Sequence, residues 1–206
     1  MHTQTKASQE KLTPKKVLSI LKAGNSRFVK NLKEQRNLKE QVTETSGGQY
    51  PYAVVLSCID SRVPVELVFD QGIGDIFSTR VAGNIVNEDV LGSIEYSCKV
   101  AGSKVILVLG HTKCGAVTAA CKGVELGNIT ALLSKIQPAV ANVRKSRKIK
   151  AEKSANDIEE ASIVNVKMSI ARIKKESPIL AKMAKKGEID IVGGIYSVKT
   201  GKVTFI

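Results

Sequence analysis

Val105-Ile106-Leu107-Val108-Leu109-Gly110-His111-Thr112-Lys113-Cys114 and, about fifty residues earlier, Ala53-Val54-Val55-Leu56-Ser57-Cys58-Ile59-Asp60-Ser61-Arg62 are the stretches that decide the fold. Each opens with an uncharged apolar run of strand length, rich in Val and Ile, of the kind buried on both faces of a sheet. Each run then gives way to residues that carry chemistry. In a parallel α/β sheet, functional groups collect in the crevice beyond the carboxyl ends of the strands. Neighbouring strands would therefore bring Cys58, His111 and Cys114 together as a Cys2His metal site.

Working outward, Val63-Pro64-Val65-Glu66-Leu67-Val68-Phe69 reads as a short helix, Gly72-Ile73-Gly74-Asp75 as a turn and Ile76–Arg80 as a second strand ended by Gly83-Asn84. Residues 88–100 have a helical pattern, Gly102-Ser103 turns the chain, and Cys114-Gly115-Ala116-Val117 opens a further helix whose N-terminus favours a thiolate. The alternation of strand and helix predicts an α/β fold with a central, mainly parallel sheet flanked by helices. Ahead of it, Thr13 caps a helix with Pro14 in its first turn and an apolar stripe of Val17, Leu18, Ile20, Leu21 and Phe28. A second basic helical piece around Leu32 and Leu38 ends at Ser46-Gly47-Gly48. Beyond the core, residues 129–186 read as largely helical, interrupted around Pro138, with a Lys-rich middle. Ile189–Tyr196 is a strand, and Lys199-Thr200-Gly201-Lys202 turns into the closing edge strand Val203–Ile206. The chain is expected to form one domain over 1–206: a helical arm (1–46), the site-bearing core (47–128), and helices with closing strands (129–206).

At 206 residues and 43% hydrophobic content the chain can bury a substantial core. No apolar stretch is long enough to span a bilayer and the start lacks the apolar segment of a secretory signal, so a cytoplasmic protein without a membrane partner is expected. The net charge of +13 raises the question of nucleic acid. The excess is peripheral, however: ten Lys and Arg lie between Lys6 and Lys39 and thirteen between Arg144 and Lys186, whereas residues 47–128 hold six against eight acids. Without basic residues interleaved with aromatics, this pattern reads as solvated helix faces, and no nucleic-acid partner is expected. Of the four cysteines, Cys98 and Cys121 fall in helix-like stretches as small buried hydrophobes.

Two thiolates and an imidazole suit zinc, and three protein ligands leave one of four positions for water, as in catalytic sites. Structural zinc more often takes four protein ligands in closely spaced Cys pairs; the chain has no Cys-x-x-Cys, and the only other histidine is His2. Zinc lowers the pKa of its water to about 7, which supplies hydroxide without a strong protein base. Asp60, an acceptor only, can take that hydroxide's proton in a hydrogen bond and aim its lone pair, while Arg62 holds the carboxylate in a bidentate pair. A plain Asp60–Arg62 salt bridge at the strand end is the alternative.

Cys58-x-Asp60-x-Arg62 with His111-x-x-Cys114-Gly115 resembles the β-class carbonic anhydrases. The likeness extends to Gly74-Asp75-Ile76-Phe77, Arg80-Val81-Ala82-Gly83-Asn84, Ser93-Ile94-Glu95-Tyr96, Gly194-Ile195-Tyr196 and Thr200-Gly201. The resemblance implies reversible hydration of carbon dioxide to bicarbonate and a proton, with one zinc ion per chain on Cys58, His111 and Cys114 and a catalytic pair of Asp60 and Arg62. It also implies that Gln49, as in the plant-like subgroup, Phe77, Tyr96 and the Gly115 amide face substrate. Read on their own, Gln49 is a loop residue and Phe77 and Tyr96 are core aromatics. Val55 stands where the bicarbonate-inhibited subgroup has Trp, Val81 replaces a common Asn and Ala116 a common Gly. By the same resemblance the chain forms homodimers or homotetramers, with amino-terminal helices wrapped on the partner and active sites at the dimer interface. An arm packed on its own sheet is the competing expectation.

Rival functions remain. Hydrolysis of carbon disulfide or carbonyl sulfide needs the same groups, because hydroxide again attacks a linear heterocumulene. A zinc-stabilised basic protein that binds an acidic partner without catalysis is the reading from another class. A redox role for Cys58 and Cys114 requires thiols free of metal.

Overall fold

A computed structural model describes residues 3–146 and 155–206. His2 and the Lys-rich stretch 147–154 lie outside the described residues. In chain order the helices are α1 (Lys6–Glu10), α2 (Pro14–Val29), α3 (Leu38–Thr45), α4 (Val65–Val68), α5 (Glu88–Glu95), α6 (Gly115–Lys122), α7 (Gly127–Ser134), α8 (Gln137–Ser146), α9 (Ala155–Glu176) and α10 (Pro178–Lys185). The strands are β1 (Ala53–Ser57), β2 (Ile76–Arg80), β3 (Val105–His111), β4 (Asp190–Tyr196) and β5 (Val203–Phe205). They form one sheet in the order β2-β1-β3-β4-β5, parallel except for β5, which closes one edge antiparallel to β4. This is the α/β architecture expected. None of the described helices is long and apolar enough to cross a membrane.

Every residue of β1 and β3 is buried, because helices cover both faces of the sheet and the apolar runs need no polar alternation. One face packs Ala53, Val55, Leu107 and Leu109 against Val17 and Leu21 of α2 and Val65 and Val68 of α4. The other packs Val54, Leu56, Ile106 and Val108 against α5, α9 and α10. Glycines set the close approach of α9: a Cβ at Gly110 or Gly193 would stand 2.7 or 2.8 Å from methyls of Val166.

The arm lies on its own sheet. Thr13 caps α2 by accepting the Lys16 amide, with Pro14 at the first position, as expected. Val17 and Leu21 are fully buried, each contributing about 1.5–3 kcal/mol of apolar transfer. Asn25 then ties α2 to the far edge: its amide donates to Val68 O (3.1 Å) and Gly201 O (2.9 Å) and accepts from Val203 N (2.8 Å). Of the two expectations for this stripe, the structure places α2 against its own core.

Three details bear on the sequence reading. Leu32 is not helical: α2 ends at Val29, and Asn31, at φ 55°, turns the chain into an irregular link before α3. The helical region does break around Pro138, as expected: α7 ends at Ser134, and Pro138 sits in the first turn of α8, where a missing N–H costs no intrahelical bond. The helix over residues 88–100 closes in a widened π-type turn over Tyr96–Val100.

The Leu32 link is held by a buried carboxylate. Asp70, 3% exposed, accepts from Arg27 Nε (2.6 Å), Arg36 Nη1 (2.6 Å) and the Glu34 amide (3.2 Å). Burial pushes its pKa upward, but these donors outweigh burial and hold the carboxyl below its ordinary value. Asp70→Asn is therefore expected to cost about 3 kcal/mol in chemical denaturation at neutral pH, since the two guanidinium groups lose their buried carboxylate and keep only the half-buried Glu34 as counter-charge. A depressed carboxyl stabilises in full above its unfolded pKa, about 3.9, and the effect is lost as pH falls through the lower folded value. The gap between parent and variant is expected to stay level from about pH 7 to 5 and to close only below about 4.

Candidate metal centre

β1 and β3 are parallel neighbours in a register that sets Ser57 beside Leu109, so Cys58, the residue after β1, and His111, the last of β3, emerge at the same end of the sheet. The turn after His111 returns the chain at Cys114, which caps α6. The sulfurs of Cys58 and Cys114 and a ring nitrogen of His111 lie within 4.8 Å of one another, and all three residues are buried.

The donor set fits a zinc ion. His111 Nδ1 stands 2.9 Å from Thr112 O, which assigns the ring proton to Nδ1 and leaves the Nε2 lone pair free. Nε2 is buried without a hydrogen-bond partner, an arrangement that is costly unless a cation takes that lone pair. The ionisations of the two thiols are coupled. A hydrogen bond from Cys114 brings the Cys58 thiol down to about 4 against the effect of burial, with His111 and the Gly83 amide adding to the shift. Cys114 is raised in turn, by keeping the proton for Cys58 and by burial. A divalent cation bound there would displace the Cys114 proton and hold both sulfurs as thiolates.

Asp60 and Arg62 border the cluster. The Asp60 carboxylate accepts Arg62 N (3.0 Å) and Nε (2.9 Å) on Oδ1 and Nη2 (2.8 Å) on Oδ2, and Oδ2 stands 3.9 Å from His111 Nε2. Arg62, the principal cause, lowers the carboxyl to about 2, so it is an acceptor at any physiological pH. Arg62 also reaches Lys113 O at 3.3 Å. Gly115, the first residue of α6, is exposed, with open space where a side chain would be.

The other three residues singled out from sequence lie elsewhere on the chain. Phe77 sits in β2 opposite Val54, near the beginning of β1, and meets Tyr96 edge to face with ring centroids 6.2 Å apart. Both line a groove with Ser78, Thr79, Asp89 and Ser93 that includes none of the three metal-site residues. Gln49 is exposed in the link preceding β1.

Two residues of the site carry roles the sequence reading did not give them. Arg80 donates to Cys58 O (3.1 Å) and Asp60 O (2.6 Å), fixing the backbone between the thiol and the carboxylate. Gly83 donates its amide to Cys58 Sγ at 3.3 Å. The visible signal was Gly83-Asn84 as a strand terminator, which marks a turn without saying where its amides point.

With this geometry established, comparison with known proteins is informative. Residues 53–203 match the family model described as carbonic anhydrase. A carbonic anhydrase of Mycolicibacterium smegmatis is 34% identical over 190 residues, covering 89% of this chain and 88% of the relative. A tetrameric β-carbonic anhydrase of Sordaria macrospora superposes with a TM-score of 0.72 at 20% identity, over 82% of this chain and 90% of that one, a likeness of fold. A carbon disulfide hydrolase of Acidithiobacillus thiooxidans is 33% identical over 91 residues, 37% of this chain and 42% of the relative.

Gly83 is at φ 69°, and a Cβ there would stand 2.5 Å from Ile136 Cδ1 and 3.3 Å from Ala116 Cβ. Gly83→Ala is expected to cost about 2–4 kcal/mol, from left-handed strain and overpacking together. Urea unfolding of the metal-free protein measures the cost, and a loss below about 1 kcal/mol would contradict this account of the turn.

Proposed function

The chain belongs to the β-class carbonic anhydrase family, and on that premise we propose that it hydrates carbon dioxide reversibly to bicarbonate and a proton, using one zinc ion per chain held by Cys58, His111 and Cys114. The observation that carries this reading is the convergence of two thiols and an unpartnered imidazole nitrogen beside a carboxylate locked by an arginine. Bound there, zinc would make a water-derived nucleophile available near neutral pH.

The chain's own residues supply orientation and charge. Asp60 is ionised and accepts only, so a hydrogen of the attacking oxygen points at it and a lone pair points away, toward substrate. Arg62 keeps the carboxylate from turning, because both oxygens and the Arg62 amide are engaged at once. The exposed Gly115 amide, at the positive end of α6, suits an oxygen that gains charge as the linear substrate bends.

Gln49, Phe77 and Tyr96 fit this reading as contributions to the site of a second copy. β2 is an open edge strand, Tyr96 is 53% and Val100 70% exposed, and the groove lined by Phe77 and Tyr96 has a volume of about 720 Å³. An unpaired edge flanked by bare apolar side chains calls for a partner, and a homodimer or homotetramer supplies one. Light scattering is expected to give at least twice the 22.1 kDa of one chain. A cytoplasmic setting suits thiols that must stay reduced to hold metal.

Zinc analysis is expected to find one ion per chain. Asp60→Ala is expected to keep that zinc and lose at least about 100-fold in kcat, measured by stopped-flow hydration with a pH indicator. Cys114→Ala is expected to lose both metal and activity. A zinc-loaded parent inactive even above about pH 8, where the nucleophile is formed, would overturn the proposal. The same sample tested with carbon disulfide separates the alternative substrate. Turnover of carbon disulfide alone would favour the hydrolase reading.

A further inference from the structure

The left-handed turn at Gly83 and Asn84, at φ 69° and 42°, is held from outside by one face of α9. Asn165 Nδ2 donates to Gly83 O at 2.8 Å, and Ser169 Oγ, one helical turn on, donates to Asn84 O at 3.3 Å. Both side chains are buried; Asn165 is 3% exposed. Gly83 in turn aims its N–H at Cys58 Sγ. Nearly two turns nearer the start of α9, Glu159 Oε1 accepts the amide of Lys113 at 2.9 Å, and Lys113 is itself left-handed, at φ 54°, between His111 and Cys114. One helix thus grips both turns that complete the cluster.

We propose that Asn165 is a positioning residue of the metal centre: it fixes the Gly83 turn so that the Gly83 amide stays directed at the Cys58 sulfur. The inference rests on the zinc reading above. An N–H aimed at a thiolate withdraws charge from the sulfur and restrains the direction of the lone pair it gives to a metal. Asn84 is among the few residues with a Cβ that tolerate the left-handed region, and the two bonds from α9 hold the pair there. Val166, packed hard against Gly110 and Gly193, anchors the helix, so Asn165 acts from a rigid base. A bond that only fastened a loop to a helix would affect melting alone. A positioning bond also affects the metal.

Asn165→Leu keeps nearly the same size and removes the donor. The purified parent, Asn165→Leu, Ser169→Ala and, as a control on the exposed side of α9, Lys167→Ala are loaded with zinc or with cobalt(II). Two readouts are taken well below the melting temperature: zinc release to a chromogenic chelator, and the thiolate-to-cobalt charge-transfer band. Asn165→Leu is expected to release zinc about 10-fold faster or more and to shift the band. Ser169→Ala is expected to move both in the same direction by less, and Lys167→Ala to match the parent. A folded Asn165→Leu with parental release and band overturns the proposal. If Asn165→Leu does not fold, parental behaviour of Ser169→Ala overturns it in the same way. A parent that shows no thiolate-to-cobalt band fails the Cys-His-Cys reading itself, a result distinct from variants that merely match a band-positive parent.

Discussion

The parallel pairing of β1 with β3 is the constraint on which the rest depends. Its register puts Ser57 beside Leu109, so Cys58, just past the end of β1, stands level with Gly110 and one residue short of His111, and both leave the same end of the sheet. A slip of one residue would turn Cys58 toward the opposite face and separate the thiol from the imidazole. The register is protected because both strands are buried on both faces: β1 alternates between the cluster under α2 and the cluster under α9, and exchanging them would place each side chain in a core shaped for another. The chemistry at the strand ends is a by-product of apolar packing along the whole strand length.

That dependence explains what could be read from sequence. The apolar runs and the motifs at their ends share one local signal, so β1, β3, the turn to α6 and the convergence of Cys58, His111 and Cys114 were legible together. The pairing of Asp60 with Arg62 was legible because two residues of separation suffice. The docking of α2 was not. An amphipathic stripe states that Val17 and Leu21 must be covered, and what covers them is decided by Asn25, whose three partners lie on Val68, Gly201 and Val203. Asp70 was equally silent, since its meaning depends on Arg27 and Arg36 arriving from a segment more than thirty residues away. Propensity is local, whereas these are long-range polar bonds formed only in the completed fold.

The Gly83 turn belongs to the same class. Its glycine is visible as a break, and the break reads as a terminator for β2. Only the three-dimensional arrangement shows that a left-handed pair is wedged between Cys58 on one side and α9 on the other, with Ile136 occupying the space a side chain would need. The positive charge of the chain shows the opposite case. Its uneven distribution could be read from the sequence because solvated residues obey no long-range constraint.

Such a centre is electrostatically demanding in the absence of its ion. Cys58, Cys114 and Asp60 bring three groups of potential negative charge to one buried corner, and nearby like charges in a medium that solvates them poorly resist ionising together. The protein meets this in two ways on its own. It couples the two thiols, so that Cys58 is lowered as Cys114 is raised, and it surrounds the carboxylate and the neighbouring backbone with Arg62 and Arg80. Neither device satisfies His111 Nε2, which is buried and unpaired. A dication would resolve all of these at once by taking the lone pair of the imidazole and the charge of both thiolates. Because the unfolded chain cannot hold the three donors together, most of that binding energy would be expressed as stability of the fold. On the proposed zinc reading, metal affinity and the integrity of the β1–β3 pairing are therefore one property seen from two sides, and any side chain that fixes the turns around Cys58 and Cys114 would contribute to both.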